Sequence, residues 1–315
     1  MSSTTPDPDY YVKLLAFTKS NHRDVYPAID PTSPSLSQKG KVVVITGASR
    51  GIGRRGFVVS FARAGAKALV LLARSASDLA EAEKEAKAIN PSIETLALSV
   101  DVADEASVSD AFRAIQEKYG KPDVLVNNAA VLEPLSSILE VDAKKWWYAF
   151  ELNLRGPFLL TKAFMNLLGP EPTSVPPKSS PTRATIINVT TSGAHTIVPN
   201  HSSYCISKLA LNQLTAYVAA EDSSITCVCV HPGVIPTDMS SLVPFLNPFA
   251  KDSPELVGSV AVWLASGDQR FLSGRYITAN WDVEELVRKK DEILDGDKLT
   301  TALKGEFGMQ QFEKR

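Results

Sequence analysis

Val42-Val43-Val44-Ile45-Thr46-Gly47-Ala48-Ser49-Arg50-Gly51-Ile52-Gly53 is the stretch on which the fold reading turns. Its β-branched run suits a strand buried on both faces of a parallel sheet. The glycine-rich turn comes next, and residues 54–64 then read as a helix stopped at Gly65. In such a turn Gly47 permits the tight bend and Gly51 lets the backbone approach a pyrophosphate at the helix N-terminus. Gly53 allows the helix to pack closely on the strand. A glycine pattern alone is weak evidence; the strand before it and the helix after it make it a dinucleotide turn. Ser49, Arg50 and Ile52 complete that turn.

The pattern repeats outward. Strands are expected over 68–72, 95–100, 124–126, 185–189 and 226–230, with another at 276–278. Helices are expected over 77–89, 104–119, 152–168 and 204–220. Alternation at this spacing predicts βαβ units in an α/β fold: one doubly wound Rossmann-type domain, about seven parallel strands with helices on both faces.

Residues 41–280 would form that domain, and 1–40, broken by Pro6, Pro8, Pro27, Pro31 and Pro34, a draped N-terminal arm with a turn or two of helix over 10–17. A Pro-rich surface insertion is expected over 169–184, and a charged helical tail, solvated, over 281–315. The 315 residues carry 33 Lys+Arg against 35 Asp+Glu, so no broad basic field invites nucleic acid. No apolar run approaches a membrane span, and the first ten residues lack a secretory apolar segment. Of three cysteines, Cys227 and Cys229 alternate within an apolar run and are expected on one buried face of a strand, with Cys205 elsewhere. A disulfide framework or metal site is not expected, and the implied setting is a reducing compartment, the cytoplasm.

The end of the second expected strand bears on the cofactor. An NAD site places a carboxylate there for the ribose 2′-OH. Here Leu72-Ala73-Arg74-Ser75 holds none until Asp78. Arg74 can pair with a 2′-phosphate, Arg50 can add charge and Ser75 a hydroxyl, which favours NADP(H). Farther on, Tyr204 and Lys208 stand at i and i+4 on one helix face. An ammonium near a phenol favours the phenolate and is expected to lower the Tyr204 pKa, as proton exchange with an alcohol or ketone oxygen requires.

Thr46–Gly53, Asn127-Asn128-Ala129-Ala130, Asn153, Thr190-Thr191-Ser192, Tyr204 with Lys208, and Pro232-Gly233 occur in order with matching spacing. Over residues 41–279 the chain resembles the short-chain dehydrogenase/reductase superfamily of the non-extended kind, and the flanks around Tyr26–Pro31 and Arg275–Glu285 resemble a fungal subgroup. The resemblance implies that Tyr204 donates or accepts the substrate proton and that Lys208 holds the nicotinamide ribose. It implies that Asn153 organises a water relay, Asp101 and Val102 contact the adenine, and Asn128 and Ala129 pass beside the adenosine ribose. Val234 and Thr237 would hold the carboxamide and pyrophosphate side.

Two positions depart from the family pattern. Ala130 stands where the family has Gly, and counting thirteen back from Tyr204 gives Thr191 where it has its catalytic Ser. A Thr hydroxyl can make the same hydrogen bond, and Ser192 is the rival. His195 reads as a hydrogen-bonded loop residue before an acid or base. The resemblance makes 235–258 a substrate lid; its apolar Leu242, Val243, Phe245, Leu246 and Phe249 suit an apolar carbonyl or alcohol substrate. The leading expectation is an NADP(H)-dependent oxidoreductase. A non-redox protein of the same fold, whether cofactor-binding scaffold, isomerase or cyclase, is the alternative. The resemblance also implies homodimers or homotetramers through the helices at 152–168 and 204–220.

Overall fold

The structure is a computed structural model that describes residues 6–170, 183–305 and 307. Seven strands form one parallel sheet in the order β3-β2-β1-β4-β5-β6-β7. They are β1 (Val42–Thr46), β2 (Ala68–Ala73), β3 (Glu94–Ser99), β4 (Val124–Asn127), β5 (Ala184–Val189), β6 (Ile225–His231) and β7 (Tyr276–Thr278). The order reverses between β1 and β4, which pair Val43 with Val124 and Ile45 with Val126. Such a switch point opens a crevice at the carboxyl ends of the strands, where ligands of open α/β sheets bind.

The helices are α1 (Tyr10–Leu14), α2 (Val59–Arg63), α3 (Ala76–Ile89), α4 (Glu105–Tyr119), α5 (Ala143–Phe150), α6 (Gly156–Leu168), α7 (Ser202–Glu221), α8 (Asp238–Ser241), α9 (Pro254–Ser266), α10 (Val283–Arg288) and α11 (Lys290–Asp295). One apolar layer gathers Phe57, Phe61, Leu79, Leu256, Val260 and Leu264 from α2, α3, α9 and the turn before α2. The other gathers Phe112, Ile115, Leu160, Phe164 and Val218 from α4, α6 and α7. Because both faces are covered, β1, β2 and β6 are buried at every position. This is why their sequences are continuous apolar runs and not alternating ones. Cys227 is fully buried and Cys229 nearly so, and all three cysteines are free thiols.

Helix α5 lies outside the sequence expectation. Its aromatic run, Trp146-Trp147-Tyr148, has modest helix propensity, and only Ala149 is buried. Asp142 caps it by accepting from the Lys145 amide. A widened π-helical turn, Glu151–Arg155, joins α5 to α6. Pro157 has no N–H for the carbonyl four residues back, which is that of Asn153, and this accounts for the widening. Helix α9 likewise lies outside the sequence expectation: it takes Leu256, Val257 and Gly258, from the segment expected as lid, into the core.

The tail is not simply solvated. Val283, Leu286 and Ile293 are buried, and Trp281 packs beside Phe17 from the arm. Lys19 and Ser20 amides donate to Glu285, His22 donates its amide to the Asn280 carbonyl, and the Tyr26 hydroxyl accepts from the Val283 amide. Most of the Pro-rich insertion, 171–182, lies outside the described residues.

Candidate active site

The glycine turn is built by backbone and one partner segment. Gly47 has φ +62°, a conformation open to glycine. A Cβ on Gly53 would lie 2.0 Å from the Gly47 carbonyl oxygen, so helix and strand meet there only without a side chain. Asn128 anchors the turn: its Nδ2 donates to the Thr46 carbonyl at 2.8 Å, and the Asn128 and Ala129 amides donate to Thr46 Oγ1 at 2.9 and 3.0 Å. Gly51 has φ +56° with open space where a Cβ would stand. Ser49 and Ile52 are half-buried around that space. The turn runs into a π-helical turn, Gly53–Val58, that continues into α2; backbone N–H groups at the start of such a helical stretch favour an anion.

Two cations flank the turn. Arg50 is exposed and reaches Asp238 only at 3.5 Å. Arg74, at the end of β2, is exposed and meets the Tyr148 hydroxyl at 3.5 Å. Ser75 caps α3, its hydroxyl accepting from the Asp78 amide. Asp101 accepts from the Ala103 amide at 3.0 Å, and Val102 is buried against Gly156. The residues fit a dinucleotide: a glycine turn ahead of a helix, two exposed guanidinium groups beside it and no carboxylate at the end of β2.

The reactive residues are joined to that turn by a hydrogen-bonded path. The segment that starts at Asn128 and Ala129 continues to Val131, whose amide donates to Asn153 Oδ1 at 2.8 Å. Asn153, buried in the π-helical turn, returns a bond from Nδ2 to the Val131 carbonyl at 2.9 Å and another to Ser207 Oγ at 3.2 Å. Ser207 in turn donates to the Tyr204 carbonyl at 2.8 Å. Ser207 was missed in the sequence; the available signal was a Ser three residues beyond a helical Tyr, where its hydroxyl can bond the backbone. The Trp146 indole donates to Ser202 Oγ at 3.0 Å and ties α5 to the start of α7.

Lys208 is buried, donates from Nζ to the Val189 carbonyl at 2.8 Å, and lies 5.9 Å from the Tyr204 ring centroid. Burial pulls its pKa down to about 8. Burial pushes the Tyr204 phenol up, and neighbouring Cys205 adds to this. The expected lowering of the Tyr204 pKa is therefore not found in the protein alone. Desolvation of the phenol outweighs an ammonium that points at a main-chain carbonyl.

Thr191 Oγ1 accepts from the Gly193 amide at 3.2 Å, which leaves its own proton free to donate. Ser192 is half-buried beside it. His195 turns to α7 and β7, with Nε2 2.9 Å from Asn212 Nδ2 and its ring edge-on to Tyr276. Val234 and Thr237 follow β6, and Thr237 caps α8 by accepting from the Ser240 amide at 3.1 Å. Among the described residues no group of His, Cys, Asp or Glu could hold a metal ion, and no helix is long and apolar enough to cross a membrane.

Comparisons with known proteins give the family. A family model described as short chain dehydrogenase matches residues 41–244. The chain is similar to the short chain dehydrogenase mpl6 of Monascus purpureus, 41% identical over 298 residues, covering 92% of this chain and 97% of the relative. It is 35% identical over 294 residues to andI of Emericella variicolor, covering 91% and 96%. Its fold resembles that of a short chain dehydrogenase from Salmonella enterica, with a TM-score of 0.68, 23% identity and coverage of 81% and 99%. A Shigella flexneri short chain dehydrogenase complexed with NADP gives the same TM-score of 0.68 at 22% identity, covering 78% of this chain and 99% of that one. With the family model spanning well over half its length, and with relatives from fungi, this chain belongs to the short chain dehydrogenases.

Proposed function

We propose that the protein is an NADP(H)-dependent oxidoreductase that interconverts a ketone or aldehyde with an alcohol on an apolar small molecule. The observation that carries this reading is the path from Thr46 through 128–131, Asn153 and Ser207 to the Tyr204 main-chain carbonyl, which ties the dinucleotide turn to the helix turn that carries Tyr204 and Lys208. Bound NADP(H) would supply the hydride chemistry at the carbonyl carbon. Tyr204 gives its proton to the carbonyl oxygen in reduction and takes it back in oxidation. Burial keeps the phenol in its protonated form in the protein alone; giving up that proton calls for a cation that stabilises the phenolate left behind. Lys208 holds the nicotinamide ribose, and its ammonium, 5.9 Å from the Tyr204 ring centroid, stabilises the phenolate left when the proton is given up. Thr191, with Ser192 as the rival, donates a hydrogen bond to the substrate oxygen. Asn153 holds the relay behind Lys208. Asp101, Val102, Asn128 and Ala129 border the adenosine, and Val234 and Thr237 hold the nicotinamide carboxamide and pyrophosphate side.

The apolar substrate is supported by the rim. Ile138 and Leu139 are 81% and 94% exposed on the loop whose Ser136 amide donates to the Asn200 carbonyl. Phe245 stands edge-on to His201, at the start of the Tyr204 helix. Arg74 is the reader of the 2′-phosphate. Exposed Trp147, Phe158, Ile206 and Tyr217 on α5, α6 and α7 suit pairing with further copies of the chain. Three free thiols suit the cytoplasm.

Tyr204→Phe is expected to cut NADPH-dependent ketone reduction about 10²- to 10⁴-fold while NADPH affinity, read by nicotinamide fluorescence, is kept. Retained turnover would sink the assignment. Arg74→Asp is expected to weaken NADPH binding ~10- to 100-fold and spare NADH, the size of a lost charge-assisted contact. Equal affinities in parent and variant would place the 2′-phosphate elsewhere.

A further inference from the structure

We propose that Arg23, from the N-terminal arm, is a positioning residue for the nicotinamide side of the site: it holds the buried Asp252 carboxylate that fixes the Val234 amide. The inference rests on the reading above that Val234 holds the nicotinamide carboxamide and pyrophosphate side. Both Arg23 and Asp252 lie outside the 41–244 stretch matched by the family model.

Asp252 is the unusual group. Its side chain is 1% exposed. Its Oδ2 accepts from the Val234 amide at 2.6 Å, and its own amide donates back to the Val234 carbonyl at 3.2 Å. Asn280 Nδ2 donates to Oδ1 at 3.0 Å. Gly233, at φ +92°, is pressed so closely on the carboxylate that a Cβ there would stand 2.5 Å from Oδ2. The turn after β6 is thus moulded on one acidic side chain.

A carboxylate taken from water must be paired or it takes up a proton. The cation facing it is Arg23, whose Nη1 lies 3.6 Å from Oδ1. Asp9 is the opposing charge on the far side of the guanidinium, 2.9 Å from Nε. Arg23 is itself held in place: Nη1 donates to the Phe249 carbonyl at 3.3 Å and Nη2 to the Pro8 carbonyl at 2.6 Å. Its carbonyl accepts from the Ser253 amide at 2.8 Å, and Asp24 accepts from the Ser253 hydroxyl at 2.6 Å. The guanidinium therefore needs little ordering to meet its partner.

Burial pushes the Asp252 pKa up; the Val234 amide, Arg23 and Asn280 pull it down, and Asp9 pushes it up again. Without Arg23 the carboxyl protonates closer to neutral pH. A protonated carboxyl is a poorer acceptor for the Val234 amide, so the turn loosens on the acid side first.

The test uses the full chain with Arg23→Gln and Arg23→Lys. Hydrogen–deuterium exchange of the peptide carrying Val234 is compared with the parent at each pH from about 4.5 to 8, beside the pH profile of KM for NADPH. In R23Q the exchange relative to the parent is expected to be about tenfold faster at the acid end and to approach the parent at the alkaline end. KM for NADPH rises along the same acid limb, and R23K restores both. Exchange unchanged in R23Q, or raised equally at every pH without rescue by R23K, overturns the proposal while leaving NADPH binding by the parent intact. A parent chain that fails to bind NADPH overturns the cofactor reading instead, and with it the placement of Val234.

Discussion

The glycine turn and the clasp of arm on tail are both sewn by hydrogen bonds between side chains and main chain, yet they differ in how they are specified. The turn is a local string, Thr46 to Gly53, completed by Asn128 some 82 positions on. The clasp joins Leu15 to Trp281 and Thr18 to Asp282, residues 266 and 264 apart. In the turn, glycine sterics set the shape. In the clasp, an aromatic contact between Phe17 and Trp281 at 5.2 Å fills the space that the arm leaves on the sheet edge. One region is made for a ligand and is open; the other is made for the chain itself and is closed.

Replacing the centre of the clasp should have the largest effect on stability. Trp281 is 5% exposed, and its indole donates to the Leu15 carbonyl at 2.8 Å. Trp281→Ala leaves a cavity against Phe17 and Tyr276 and an unpaired carbonyl. A loss of about 3–5 kcal/mol in urea unfolding is expected. A loss within ~0.5 kcal/mol, typical of surface changes, would mean that the arm merely lies on the domain.

The opposite balance is expected in the turn. Gly53→Ala drives a methyl group to within 2.0 Å of the Gly47 oxygen. Overpacking of this kind costs about 1–3 kcal/mol. The strain falls on the backbone that would cradle the pyrophosphate, so NADPH affinity should drop at least ~10-fold, read by titration of the folded variant. Stability lost with affinity unchanged would erase the contrast, because the turn would then be packing and not a site.

The same contrast decides what the sequence made legible. The strands of the sheet were readable because burial on both faces leaves continuous apolar runs, and β7 was readable at its three residues, Tyr276–Thr278. The turn and the Tyr204–Lys208 pair are legible because each is a short string with fixed spacing, whereas Asn153, a single residue, is singled out only by the family resemblance. Helix α5 was missed because its side chains are aromatic and mostly unburied. Reading 283–293 as solvated failed for a related reason. A charged helix shows its polar face in sequence, whereas the partner of Val283 and Leu286 is an arm more than 250 residues away. Arg23 and Asp252 were invisible for that reason too: an isolated Arg and an isolated Asp carry no pattern until the fold brings them to 3.6 Å. For Tyr204, spacing gives the cationic neighbour but not the burial that pushes the phenol up in the protein alone.

His231 sharpens the comparison from between the two regions. It ends β6, directly before Pro232-Gly233, and its carbonyl accepts from the Ala279 amide at 2.8 Å, which leads into the clasp. The ring is buried, Nδ1 has no hydrogen-bond partner, and burial pulls its pKa from 6.5 down to about 4. The folded protein thus holds a neutral imidazole where the unfolded chain would take up a proton below pH 6.5. Folding stability from this group is present in full above pH 6.5 and is lost as pH falls toward 4. At ~1.4 kcal/mol per unit, the loss from pH 6.5 to pH 5 comes to about 2 kcal/mol. His231→Gln keeps a polar side chain and removes the titration. The stability gap between parent and variant, measured by urea unfolding, should therefore shift by about 2 kcal/mol in favour of the variant between pH 7 and pH 5. A gap that stays constant would mean the imidazole is already charged or solvated in the fold, and acid would then reach the clasp and the turn by some other group.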